Sequence, residues 1–124
     1  MSARLKHIRE LAQLLLSSWD QRVDPKPTVS FYVGGMKQDK LDEAAEAQVI
    51  FTTYQMTSEA LDIPELDTAF FTTPISDPEQ PAGRILRPHP DKKPPIIVDF
   101  VDSKVEKCVS WAKTRDRFYK SIGA

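Results

Sequence analysis

The hydrophobic period of this chain alternates between helical stripes and short continuous apolar runs, in the order α-β-α-β-α-β-α-β-α. A helix between each pair of strands leaves room for right-handed crossovers and so for parallel pairing, whereas hairpins would need tight turns. The class predicted is therefore α/β, with a mainly parallel sheet layered between helices. Such sheets bind ligands at the carboxyl ends of their strands. With 124 residues the chain can bury one proper core, so a single domain over 1–124 is expected.

The first segment, Arg4 to Ser18, is amphipathic: Leu5, Ile8, Leu11, Ala12, Leu15 and Leu16 recur at three- and four-residue steps. Thr28 to Val33 is β-branched and aromatic and stops at Gly34-Gly35, as a strand ending in a tight turn does. A helix follows over about 37–46. Val49 to Thr53, Thr68 to Thr72 and Ile96 to Phe100 are three further runs with the length and continuity of strands covered on both faces. The last helix, about Lys104 to Tyr119, brings Val105, Cys108, Val109, Ala112 and Arg115 near one face.

Charge excludes little. A net charge of -1 supplies no global attraction to phosphate backbones, so nucleic-acid binding would rest on local Lys, Arg and backbone N–H groups. The single Cys108 rules out an internal disulfide, and no Cys/His cluster has zinc-ligand spacing. The early apolar run Leu14-Leu15-Leu16 falls far short of the ~18 residues a membrane span needs, and no signal peptide or anchor is visible. A soluble, intracellular protein is expected, in cytoplasm or nucleus, or in a host cell or virion if viral.

Polar groups collect where strands end. Gly34-Gly35 and Lys37 follow the first strand, and Thr52-Thr53 close the second with hydroxyls that can meet a phosphate backbone beside the N–H groups of the next turn. Farther on, Asp77-Pro78 is an N-cap and first-turn pair, with Gln80 three residues after the aspartate. On a helix starting there, Gln80, Arg84 and Arg87 stand at i, i+4 and i+7, while Ala82, Ile85 and Leu86 can pack inward. Two guanidiniums on one face call for an anionic partner, and their planar shape suits phosphate. By spacing alone, solvation of Arg84 and Arg87 or their pairing with local Asp and Glu is the favoured explanation.

The full strings decide between these. Phe51-Thr-Thr-Tyr-Gln-Met-Thr-Ser-Glu-Ala-Leu-Asp-Ile-Pro64, followed by Gln80-Pro-Ala-Gly-Arg-Ile-Leu-Arg87, resembles two successive motifs of superfamily 2 helicases. The resemblance runs over nearly the whole chain and is nearest to the C-terminal RecA-like lobe of viral or phage-type DEAD/DEAH-like enzymes. It implies a three-layer RecA-like (P-loop NTPase-type) domain. Because Met1 stands where an opening strand of that lobe would end, the first strand is expected to be missing and the lobe truncated at its N-terminus. The resemblance further implies that Arg84 and Arg87 sense the γ-phosphate and act catalytically, that Gln80 and Gly83 belong to the nucleotide site, and that Asp62 lies near the ribose. Thr52, Thr53, Gly34, Gly35 and Lys37 would contact nucleic acid. Pro81 departs from the pattern by removing a backbone donor inside the arginine helix.

No Gly-x-x-x-x-Gly-Lys-Ser/Thr phosphate loop occurs, and no Asp-Glu pair ends an apolar strand. ATP and Mg2+ are thus expected only in a complete two-lobe enzyme and none bound by this chain alone. The expected partners are single-stranded DNA or RNA and a separate first RecA-like lobe, with self-association through an exposed sheet edge as a further prospect. The alternative is a non-catalytic interaction or regulatory module derived from such a lobe.

Overall fold

A computed structural model describes residues 1–20, 22 and 25–123; the side chain of Glu59 lies outside the described residues. The elements follow the expected order: α1 Leu5–Ser18, β1 Val29–Tyr32, α2 Gln38–Ala44, β2 Val49–Thr52, α3 Tyr54–Glu59, β3 Thr68–Phe71, α4 Glu79–Ile85, β4 Ile96–Asp99 and α5 Glu106–Ser121. The protein is α/β, and its strands pair in parallel.

The chain divides into two compact units, Met1–Leu61 and Asp62–Ala124, each built on one parallel strand pair. In the first unit β1 and β2 align Val29 with Val49 and Tyr32 with Thr52. This register sets Phe31 beside Phe51 on one face, with ring centroids 5.8 Å apart. Helix α1 packs on β2 and α2 on β1. Ile8, Ala12, Tyr32, Leu41, Ala44, Tyr54, Met56 and Leu61 are buried. The amphipathic reading of α1 holds except at Leu5, which is 40% exposed one residue after the extended Arg4 cap, where the chain has only begun to turn.

Ser2 adds a third strand position beside this pair. Its N–H donates to Thr52 O at 3.2 Å and its carbonyl accepts from Tyr54 N at 3.0 Å, a parallel bridge opposite Thr53. Val49 N bonds Thr28 O, and alternate residues of a strand direct their backbone groups to opposite edges, so Ser2 lies on the edge of β2 away from β1. Fully buried, the Ser2 hydroxyl meets His7 Nδ1 at 2.8 Å and accepts from Arg4 N at 3.2 Å, which fixes the entry into α1.

In the second unit β3 and β4 align Thr68 with Ile96 and Phe71 with Asp99. Ala69, Phe71, Pro81, Ala82 and Ile85 are buried where α4 packs on the pair. Strands covered on both faces were expected here, but on β3 burial alternates: Ala69 and Phe71 are inside, while Thr68 and Phe70 are exposed, as is Ile96. A two-stranded pair with a helix on one side shows the period-2 pattern of a half-covered sheet.

Candidate functional site

The parallel register of the first unit brings both strand ends to one edge, so the Gly34-Gly35 turn and Thr53 leave the pair side by side. Gly35 has φ +84°, a left-handed conformation that glycine adopts without steric cost, and a side-chain carbon at either glycine would meet nothing. The turn is therefore open to close approach. Lys37, exposed, is the N-cap residue of α2; its carbonyl accepts from Lys40 and Leu41 N at 3.0 Å, leaving the ammonium directed by the chain alone.

The two threonines differ. Thr53 caps α3: its Oγ1 accepts from Met56 N at 3.3 Å, which leaves the hydroxyl proton as the group able to serve a ligand. Thr52, expected to offer a hydroxyl to a phosphate backbone, does not. It is buried, and its Oγ1 donates to Tyr32 O at 2.7 Å across the strand pair. The reason is register, since Thr52 is the last paired residue of β2 and its side chain takes the inward side.

In the second unit, α4 begins one residue later than the sequence suggests. Asp77 Oδ1 accepts from Glu79 N at 3.0 Å in a local turn, Pro78 takes the N-cap position, and the first helical bond runs from Ala82 N to Pro78 O at 2.8 Å. Pro81 then falls in the first turn, where a backbone N–H has no helical acceptor, so its missing donor costs no helical bond. The helix ends at Ile85, with Leu86 as its C-cap. Arg87 is therefore beyond the helix, and the common face expected for Gln80, Arg84 and Arg87 is not formed by helical geometry. Leu86, expected inward, is 38% exposed for the same reason, while Ala82 and Ile85 are buried as expected.

Tertiary contacts place Arg87 instead. Its Nη1 donates to Asp62 Oδ1 in an ion pair spanning 25 residues of sequence. The Asp62 side chain is 68% exposed, and ion pairs this open contribute only about 0–1 kcal/mol, so an incoming anion can replace the carboxylate at little cost. Asp62 and Arg87, both assigned to a nucleotide site by resemblance, thus meet. Arg84 sits half-buried in the last turn of α4; Gln80 and Gly83 are exposed on it, and a side-chain carbon at Gly83 would meet nothing within 4 Å.

Two features of this unit were not assigned to a site by sequence. Lys92 folds back so that its Nζ donates to Ile85 O and, at 2.7 Å, to Arg87 O. Partial desolvation lowers its pKa; Asp67 acts in the opposite sense and Arg87 reinforces the lowering. The signal was faint: a Lys a few residues past a helix end is a known cap for the last carbonyls, but Lys93 stands beside it. The other feature is Arg115, buried on α5. Its Nε and Nη2 donate to both oxygens of Asp99 at 2.7 and 2.9 Å, and Nη1 donates to Ile75 O at 2.6 Å. Tyr119 adds its hydroxyl to Asp99 Oδ2 at 2.8 Å. Arg115 thus ties the end of β4 to the loop that leads from β3 into α4.

Among the described residues, no three His, Cys, Asp or Glu side chains gather in a way that could hold a metal, and no helix is long and apolar enough to cross a membrane.

No protein-family model matches the chain. It is 34% identical over 120 residues, 97% of its length, to a protein of Acanthamoeba polyphaga mimivirus provisionally named an ATP-dependent RNA helicase. The match falls in the C-terminal part of that protein and spans 22% of it, as expected of a helicase C-terminal lobe of viral type.

Proposed function

We propose that this chain is the second RecA-like lobe of an ATP-dependent nucleic-acid helicase or translocase, working with a first lobe that carries the phosphate loop. The observation that carries the reading is the meeting of Arg87 with Asp62 beside α4, which bears Gln80, Gly83 and Arg84. Asp62, distant in sequence, meets the Arg87 guanidinium through a solvent-open, weakly bound carboxylate, which suits exchange for a phosphate.

In this reading ATP and Mg2+ bind mainly to the first lobe. Arg84 and Arg87 then approach the γ-phosphate and stabilise the charge that develops on its oxygens, as arginine fingers do. Gly83 lets the phosphate chain come close to the helix backbone, and Gln80 contacts phosphate or the opposite lobe. Asp62, released from Arg87, turns to the ribose. The strand ends of the first unit, with Gly34, Gly35, Lys37 and Thr53, hold a single strand of nucleic acid through backbone N–H groups, one ammonium and one hydroxyl. Thr52 supports that edge through its bond to Tyr32. RNA is the favoured strand, because the mimivirus relative is named for RNA.

The test is ATP hydrolysis by this chain combined with a first lobe that carries a phosphate loop, with and without single-stranded RNA or DNA. R84A and R87A are each expected to lower kcat by about 10³-fold, the size reported for loss of an arginine finger, and to leave RNA affinity intact. Unchanged hydrolysis in both variants would overturn the reading and favour a binding module without catalysis.

A further inference from the structure

We infer that Lys92 is the positioning residue of Arg87: it holds the backbone from which the guanidinium reaches toward phosphate. The inference rests on the proposed role of Arg87 and adds to it what fixes that residue in place.

Arg87 follows the end of α4, so helical geometry does not determine where its side chain starts. The carbonyls of the last helical turn have no N–H donors within the helix and must be satisfied from outside. Lys92 Nζ donates to Ile85 O, the last residue of α4, and to Arg87 O at 2.7 Å. One ammonium therefore spans the helix end and the residue in question, with its charge at the negative end of the helix.

The return loop is short and stiff. Pro88 and Pro90 restrict it, Lys92 N closes a turn on His89 O at 3.1 Å, and His89 Nε2 lies 4.0 Å from Glu65 Oε1. Arg87 is thus held at two points, its carbonyl by Lys92 and its guanidinium by Asp62. The second contact is open to solvent and exchangeable, whereas the first engages backbone and persists when a phosphate displaces the carboxylate. Lys92 directs two of its three N–H groups to carbonyls, and it acts on phosphate through Arg87. The adjacent Lys93 is exposed and supplies a control of equal charge.

The experiment uses the 124-residue chain and inorganic tripolyphosphate as the probe, with affinity measured by calorimetry or by amide shifts at fixed ionic strength. R87A is expected to weaken binding about tenfold, the loss of one charge-assisted contact. K92M should weaken it to a similar degree, K93M by less than twofold, and K92R should recover most of the affinity. In an R87A background K92M should add less than twofold, since residues acting through one another are not additive. If R87A binds as the unaltered chain does, the proposed role of Arg87 fails. If R87A weakens binding but K92M matches K93M, or if K92M is fully additive with R87A, the positioning role of Lys92 is overturned. Should K92M fail to fold, K92Q, which keeps donors without charge, takes its place with the same expected ranking against K93M.

Discussion

Arg115 and Asp99 form a bidentate pair, Nε to Oδ2 at 2.7 Å and Nη2 to Oδ1 at 2.9 Å, with the arginine side chain only 2% exposed. The cluster is tightly bonded: Ile75 O takes a third guanidinium bond and the Tyr119 hydroxyl adds a third bond to the carboxylate. Removing one partner strands a buried charge. R115A is expected to destabilise the protein by about 3–5 kcal/mol in urea unfolding, and R115K to recover little because an ammonium cannot reproduce the planar fork. A loss under 1 kcal/mol for R115A would mean that the pair does not anchor the loop into α4.

Two glycines should respond to alanine with opposite sign. Gly83 lies inside α4 with open space at its missing side chain, so G83A should stabilise the isolated chain by about 0.4–1 kcal/mol through backbone entropy. The same change should weaken tripolyphosphate binding if phosphate approaches the helix there. Gly35, at φ +84°, also has open space but a conformation that penalises a side chain, so G35A should destabilise by about 1–2 kcal/mol. Thermal unfolding of the two variants side by side measures both.

Thr52 bears on the strand pair rather than on a ligand. T52V removes the buried bond from the Thr52 hydroxyl to Tyr32 O, which costs about 0.5–1.5 kcal/mol. Affinity for a single-stranded RNA oligonucleotide, measured well below the unfolding temperature, should stay within twofold. A tenfold loss with an intact fold would return the Thr52 hydroxyl to the nucleic-acid contacts.

Burial lowers the Met1 amine of the 124-residue chain from 8.0 to about 6. The unfolded chain takes up this proton below pH 8 and the folded chain only below about 6, so between these values the unfolded state binds more protons. Stability is therefore full above pH 8 and falls as pH drops toward 6, by up to about 2–3 kcal/mol. Acetylating the amine should flatten this part of the stability profile, and an unaltered slope after acetylation would assign the pH dependence to another group.

The sequence by itself determined the order of elements, the parallel class and the residues at the strand ends. These follow from local period and turn chemistry: β-branched runs against helical stripes, and glycine where a positive φ is needed. The Gly34-Gly35 turn was legible for the same reason, whereas the string from Gln80 to Arg87 was read as an anion site through its resemblance, and the capping of α3 by Thr53 came from the structure. Tertiary structure decided which polar atoms meet. Arg87 meets Asp62 across 25 residues, and Lys92 reaches the carbonyls at the end of α4. Arg115 goes to a strand-end aspartate that had no assigned role, and the Thr52 hydroxyl turns inward. Periodicity reports which face of an element is apolar, but a hydrogen bond depends on placing two atoms to within a few tenths of an ångström. That placement comes from where helices stop and from packing between distant segments, as at Ile85, where α4 ends and leaves Arg87 to be held by its neighbours.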